Sequence, residues 1–225
     1  MRQFANFPEA LNELKRELAE MGIRLRTKSV QNINIEDNPD YDMMEVQNYT
    51  YIVTAPRWQD IPVENPDYCN AEFAERVAQK GGNPGKAWEY DRDYWFPFVN
   101  KKGEFDYTYA DRMQHTLGQV ISLLKKDPNT RRAYLSIFDP IEDAPDNLHS
   151  RIPCSLGYQF QYREGQLNLT YLQRSADFSK HFNKDIQLAD RLKCFVADAC
   201  GMKPGYFCHW LGSLHIFAKD VKGVF

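Results

Sequence analysis

What is scarce in this sequence narrows its class before any motif is considered. The five cysteines (Cys69, Cys154, Cys194, Cys200 and Cys208) are odd in number and form no C-x-x-C pair. Neither a disulfide framework nor a metal site is expected, and the chain reads as a protein of a reducing compartment. Basic charge is not in excess: 28 Lys and Arg against 31 Asp and Glu leave a formal charge of −3. That balance lacks the positive stripe required by duplex nucleic acid or an anionic membrane, so nucleic acid is expected only as a monomer. No apolar run approaches the roughly 20 residues of a membrane span. The opening MRQFANFPEALNELKREL also lacks the basic-then-apolar order of a signal peptide, so a cytoplasmic location is expected. There are no internal repeats or low-complexity tracts. At 225 residues the chain is expected to form one α+β domain over 1–225.

What is present falls into recognisable periods. Pro8, then Leu11, Leu14, Leu18 and Met21 at steps of three and four, then Gly22, predict an amphipathic helix. Ile23 and Leu25, then Val30, Ile33 and Ile35, then the aromatic and β-branched run 49–54, predict strands around an acidic loop, NPDYDMME, that reads as solvated. Through residues 55–109 the pattern weakens. Asn70 is a candidate cap for a short helix reaching Ala78. Trp88, Tyr90, Tyr94, Trp95, Phe96 and Phe98 follow without period, either as the wall of a ligand pocket or as core carried on a loop. A helix is predicted from Asp111 to a stop at residues 125–128, and a strand opens at Arg131-Arg132. A Pro- and Asp-rich loop covers 139–150. Residues 156–162 and 166–174 predict a hairpin, 186–199 an apolar helix ended by Gly201, and 206–217 a final strand.

The chemistry concentrates at Arg151-Ile152-Pro153-Cys154, where a thiol sits at the mouth of the hairpin. The antiparallel return carries Arg174 and Ser175 to the same end of the sheet. A thiol beside a guanidinium is part of a nucleophilic site for an anionic substrate. Taken alone, Arg131 and Arg132 read as a surface pair, because strand neighbours point to opposite faces. The other four cysteines read as small buried hydrophobes.

Taken together, Arg131-Arg132, Pro153-Cys154 with Gln159-Phe160, Gln173-Arg174-Ser175-Ala176-Asp177 and Gly212-Ser213-Leu214-His215-Ile216-Phe217 resemble the thymidylate synthase superfamily in order and spacing. The resemblance covers about residues 109–217, and residues 1–100 match only in their order of elements. It implies an α+β fold with a large mixed or antiparallel sheet packed with helices, and a homodimer joined sheet to sheet. It also implies a pyrimidine deoxynucleotide monophosphate as substrate and 5,10-methylenetetrahydrofolate as one-carbon cosubstrate, without a metal. Cys154 would be the nucleophile that adds to pyrimidine C6 and makes C5 reactive. Arg174 and Ser175 would hold the 5′-phosphate, joined by Arg131 and Arg132 from the partner subunit, with Gln173 among the substrate contacts. Asp177 and His215 would orient the nucleotide and a water network, Tyr109 would lie beside the thiol, and Trp88 would screen the intermediate on the folate side. A proton-relaying glutamate matches Glu75, or failing that Glu72.

An asparagine that reads uracil in the synthases falls, without a gap, on Asp185; a two-residue gap puts Asn183 there instead. An ionised carboxylate accepts from the 4-amino group of cytosine and cannot donate to a uracil O4. With GSLH in place of the synthases' GGDxH, the pattern is similar to phage-type deoxycytidylate hydroxymethylases. The expected activity is therefore C5 hydroxymethylation of dCMP, the short segment AKDVKGVF after Phe217 favouring water over folate hydride in the last step. Phe217 stands where the family has a sugar-contacting tyrosine, which leaves ribose selectivity open. The alternatives are a synthase or hydroxymethylase acting on dUMP, and a catalytically silent nucleotide-binding relative.

Overall fold

The computed structural model describes residues 1–225 apart from 32, 79, 81 and 144–150. Strand β1 (Arg2–Phe4) leads into helix α1 (Phe7–Met21), whose start is set by Asn6, its side chain accepting the Glu9 N–H at 2.9 Å. Leu14 and Leu18 of α1 are fully buried, but Met21 is exposed, because the apolar stripe leaves the core at the last turn. Three short strands follow, β2 (Ile23–Leu25), β3 (Ser29–Val30) and β4 (Ile33–Asn34). Strand β5 (Met43–Val53) begins inside the stretch expected to be a solvated acidic loop. Glu45 is consequently a buried strand residue, a position that no alternation of apolar side chains marks.

Helix α2 (Pro66–Val77) is capped by Asn65, which accepts the Tyr68 N–H at 3.0 Å, with Pro66 in the first turn. The expected cap, Asn70, lies one turn inside it. After the short helix α3 (Arg92–Trp95), the single helix expected from Asp111 is broken in two, α4 (Tyr109–Met113) and α5 (Thr116–Lys126). Strand β6 is only Tyr134–Ser136, and of the expected loop that follows, 144–150 lie outside the described residues.

The hairpin is β7 (Ser155–Arg163) and β8 (Gln166–Gln173), turned by Glu164 and Gly165, both at positive φ (51° and 78°). A two-residue β9 (Ala176–Asp177) precedes helix α6 (Phe182–Cys200), which ends at left-handed Gly201. Strand β10 (Lys203–Phe217) and helix α7 (Ala218–Val224) complete the described chain. The main path of the eight-stranded sheet runs β1-β5-β10-β8-β7-β6, with β2 against β5 and β9 against β10. Because β10 runs antiparallel to β5 and parallel to β8, the sheet is mixed, as the resemblance implied.

Pairing registers stack the core-facing side chains in rows: Val53, Phe207, Leu169 and Phe160, then Tyr51, His209, Tyr171 and Tyr158. These pack with Leu14 of α1, Leu117 of α5 and Ile186 of α6. The alternate positions Ile52, Cys208, Trp210 and Leu172 point to the other face and take no part in that core. Among the described residues, no helix is long and apolar enough to cross a membrane.

Candidate active site

The hairpin closes the site as its pairing dictates. Arg174 N–H donates to the Cys154 carbonyl at 2.9 Å, while its side-chain Nε and Nη2 donate to the carbonyls of Pro153 (2.9 Å) and Ile152 (2.8 Å). The guanidinium is thus fastened along the chain that delivers the thiol. Burial pushes the Cys154 thiol upward from its ordinary value; Arg174 opposes this most strongly, and Gln31, whose Nε2 lies 3.5 Å from the sulfur, also opposes it. The net direction is upward, so in the ligand-free protein the thiol form is favoured.

Cys154 opens into a cavity of about 430 Å³. Arg174, Ser175, Asp177 and His215 line it, together with Tyr109, Trp88, Glu72, Glu75 and Asp185. The register pairs Asp177 with His215, and Asp177 accepts from Ser179 through its N–H (3.0 Å) and hydroxyl (2.8 Å). Burial pushes His215 toward the neutral form, against the pull of Asp177 and Glu45. Tyr109 accepts the Ser155 N–H at 3.2 Å, and burial holds its phenol well above its usual range, so it stays protonated. Its ring carries the Arg76 guanidinium 4.4 Å from the centroid.

The two glutamates have different settings. Glu75 accepts the N–H groups of Lys86 (2.6 Å) and Ala87 (3.0 Å), and burial still pushes its carboxyl upward, a state suited to moving a proton. The turn around it requires Gly85, at φ 73°, where a Cβ would stand 2.4 Å from Glu75 Oε2. Glu72 is instead tied to buried Arg76 at 2.7 Å.

Asp185, in the first turns of α6, has its carboxyl pushed up to about 6, chiefly by burial, although the Arg76 charge and a 2.7 Å hydrogen bond from Gln173 Nε2 oppose this. Asn183 is off the cavity wall, its Nδ2 donating to the Pro62 carbonyl at 2.9 Å. Positions two apart on a helix are rotated by about 200°, so Asn183 and Asp185 cannot share a face. Gln173 does not line the cavity either: it is fully buried in the sheet and reaches the site through Asp185. Arg131 and Arg132 are exposed beside the edge strand β6 and are not among the residues that line the chain's own cavity.

A family model described as thymidylate synthase matches residues 72–224, more than half of the chain. The chain belongs to the thymidylate synthase family. Thymidylate synthase of Mycoplasma genitalium is 29% identical over 184 residues, covering 74% of this chain and 56% of that protein. The bifunctional dihydrofolate reductase-thymidylate synthase of Glycine max is 30% identical over 128 residues, covering 57% of this chain and 24% of its own length. The chain thus spans between about a quarter and somewhat more than half of the length of these relatives. In structure, the thermostable thymidylate synthase A from Bacillus subtilis superposes with a TM-score of 0.76 over 97% of this chain and 82% of its own, at 14% identity, which establishes the shared fold.

On this thymidylate synthase framework, several wall residues carry no signal that a sequence reading could use. Gln31 reaches Cys154 from a residue at φ 53°, between two strands of two residues each. Glu45 comes from the far strand β5 and accepts from the Ser213 hydroxyl, whose oxygen is also 3.3 Å from His215 Nδ1. Arg151 stands three residues before the thiol and did offer a signal, a cation inside the cysteine motif. It is 7% exposed, and its guanidinium lies over the rings of Phe98 (4.8 Å), Tyr107 (5.0 Å) and Trp95 (5.4 Å). Of the aromatic run, Trp88, Tyr94, Trp95 and Phe98 form cavity wall, whereas Tyr90 and Phe96 are exposed.

Proposed function

We propose that the chain transfers a one-carbon unit to C5 of a pyrimidine nucleotide and, within that class, that it hydroxymethylates dCMP. The observation supporting the base assignment is Asp185 on the wall of the cavity that holds Cys154, with Asn183 turned away to Pro62. An ionised Asp185 accepts from the cytosine 4-amino group and offers uracil O4 no donor.

In this reading the Cys154 thiolate forms a C–S bond at C6 and moves the C5–C6 electron pair toward C5, which then bonds to the one-carbon unit. Arg174 and Ser175 hold the 5′-phosphate, and that dianion keeps Arg174 beside the thiolate. Glu75 passes protons through water at the base ring, and Asp177 and His215 orient the nucleotide. 5,10-Methylenetetrahydrofolate supplies the one-carbon unit. Flat heterocycles suit the wall of Trp88, Trp95 and Phe98, where both indole N–H groups are buried with no hydrogen-bond partner among the described residues. Loss of the C5 proton with departure of tetrahydrofolate leaves an exocyclic methylene on C5. Water adds to that carbon and gives up a proton, and the electron pair returned to the ring at C5 expels Cys154 from C6 as thiolate, which restores the C5–C6 double bond.

The same reading takes the chain as a homodimer. The sheet face bearing Ile52, Trp210 and Leu172 is outside the core, and a second copy packed there would bury it. Arg131 and Arg132, which do not line their own cavity, would then serve the partner's phosphate.

Incubation with methylenetetrahydrofolate and either dCMP or dUMP, followed by mass analysis, tests the assignment. Hydroxymethyl-dCMP is expected. Thymidylate or hydroxymethyl-dUMP would move the chain to the uracil branch, which the names of its relatives favour. No product from either nucleotide would overturn both enzymatic readings in favour of a silent nucleotide-binding protein.

A further inference from the structure

Behind Asp185 lies a series of buried polar groups. Gln173 Nε2 donates to Asp185 Oδ2 at 2.7 Å, Gln173 Oε1 is 3.1 Å from His209 Nε2, and His209 Nδ1 is 3.1 Å from the Tyr51 hydroxyl. Tyr51, His209 and Gln173 are each at 0% exposure, so bulk water takes no part. Tyr51 and His209 are cross-strand partners in one row of the sheet, and Gln173 is on the neighbouring strand one row along.

The polarity of the series follows from donor and acceptor counts. An ionised carboxylate only accepts, so the NH₂ side of the Gln173 amide has to face Asp185 and its oxygen has to face His209. His209 Nε2 must then carry the proton, which leaves Nδ1 bare to accept from the Tyr51 hydroxyl. Every buried group is satisfied in this one arrangement. Reversing it leaves the Tyr51 proton without an acceptor and points the Gln173 oxygen at Asp185, an arrangement that only a protonated carboxyl could satisfy.

We propose that Tyr51, His209 and Gln173 form a positioning relay that holds Asp185 as a hydrogen-bond acceptor and so selects a nucleobase bearing an exocyclic amino group. This rests on Asp185 being the base-reading residue proposed above. None of the three relay residues touches the substrate; they act through the orientation and charge state of Asp185. The imidazole is gripped for the task, stacked on Tyr171 (centroids 4.6 Å apart, 14° between planes) and on Phe182 (5.8 Å, 16°). The ring therefore has no room to turn over and exchange its nitrogens.

Two measurements test the relay. Nitrogen-15 NMR of the full chain labelled at histidine is expected to show His209 neutral and protonated on Nε2; an Nδ1-protonated or charged ring would overturn the proposal. In a Cys154→Ser background, which binds nucleotide without turnover, calorimetry with dCMP and dUMP compares the parent with Tyr51→Phe and His209→Phe. The preference for dCMP is expected to fall about fivefold to tenfold, the cost of one buried hydrogen bond. Equal weakening of both nucleotides, or no change in their ratio, would mean that the residues serve packing alone. Tyr51→Phe removes a single hydroxyl, so it keeps the test valid if His209→Phe does not fold. A parent that binds neither nucleotide overturns the substrate reading and the selecting role with it, while the tautomer still decides the polarity of the relay.

Discussion

The carbonyl of Cys154 accepts the main-chain N–H of Arg174 at 2.9 Å, so the buried thiol and the guanidinium that opposes the rise of its pKa are joined through the backbone. Their side chains are not left to find each other. The first strand of the hairpin begins where the second ends, and the thiol is set at that seam.

Alkylation of Cys154 should report this coupling. Burial raises its pKa and Arg174 lowers it, so in the ligand-free protein the labelling rate at Cys154 should increase as pH rises above the ordinary thiol value of about 8.5. Arg174→Gln should move the curve further up. Site-resolved mass spectrometry separates Cys154 from the other four cysteines. Cys154→Ala should abolish turnover and leave nucleotide binding measurable; retained turnover would remove the covalent step.

Base choice should follow Asp185 and ignore Asn183. Asp185→Asn is expected to shift kcat/KM from dCMP toward dUMP by about tenfold or more, because one acceptor is replaced by an amide that can donate to O4. Asn183→Ala should leave the ratio unchanged. The sign with pH follows from the raised carboxyl: above about 6 Asp185 is ionised and accepts from cytosine, and below it dCMP affinity should fall. That inflection should be missing from the Asp185→Asn profile.

Glu75 and Glu72 should part in their failures. Glu75→Gln is expected to lower kcat by about 10²–10⁴-fold with folding retained, as for loss of a proton-transferring group. Glu72→Gln should instead cost about 3 kcal/mol or more of stability, because it leaves the buried Arg76 guanidinium without its carboxylate. Steady-state kinetics beside a denaturant titration distinguishes the two.

Gly212→Ala should damage the site from behind. A Cβ there would stand 2.7 Å from the Arg174 carbonyl oxygen, a backbone atom that moves only with its strand. A loss of about 1–3 kcal/mol in stability is expected, together with a rise in KM as Arg174 shifts from the phosphate position. Calorimetric melting and kinetics of the variant check both.

The legible parts of the fold were those with a strong period or an unambiguous turn. Helix α1 announced itself through Leu11, Leu14 and Leu18, and the β7–β8 hairpin through Glu164-Gly165 at its tip. The break between α4 and α5 was hidden, since Met113 and Leu117 keep helical spacing across it. Strand β5 was read too short for the opposite reason. Its first residues are polar or flexible, and they are held by pairing with the distant β10 rather than by any preference of their own.

The site divides along the same line. By itself the sequence determined that Cys154 and Arg174 meet at one end of the sheet, because hairpin pairing is local and an antiparallel return has one geometry. It also determined the family, through motifs whose order survives at low identity. Only the tertiary structure decided that Asp185 rather than Asn183 faces the cavity, that Gln173 supports it from inside the sheet, and that Glu45, Gln31 and Arg151 complete the wall. Those placements depend on the rotation of α6 against the sheet and on the register of β5 with β10. Both are set by the packing of the whole core, in which contacts between residues far apart in sequence outweigh local preference.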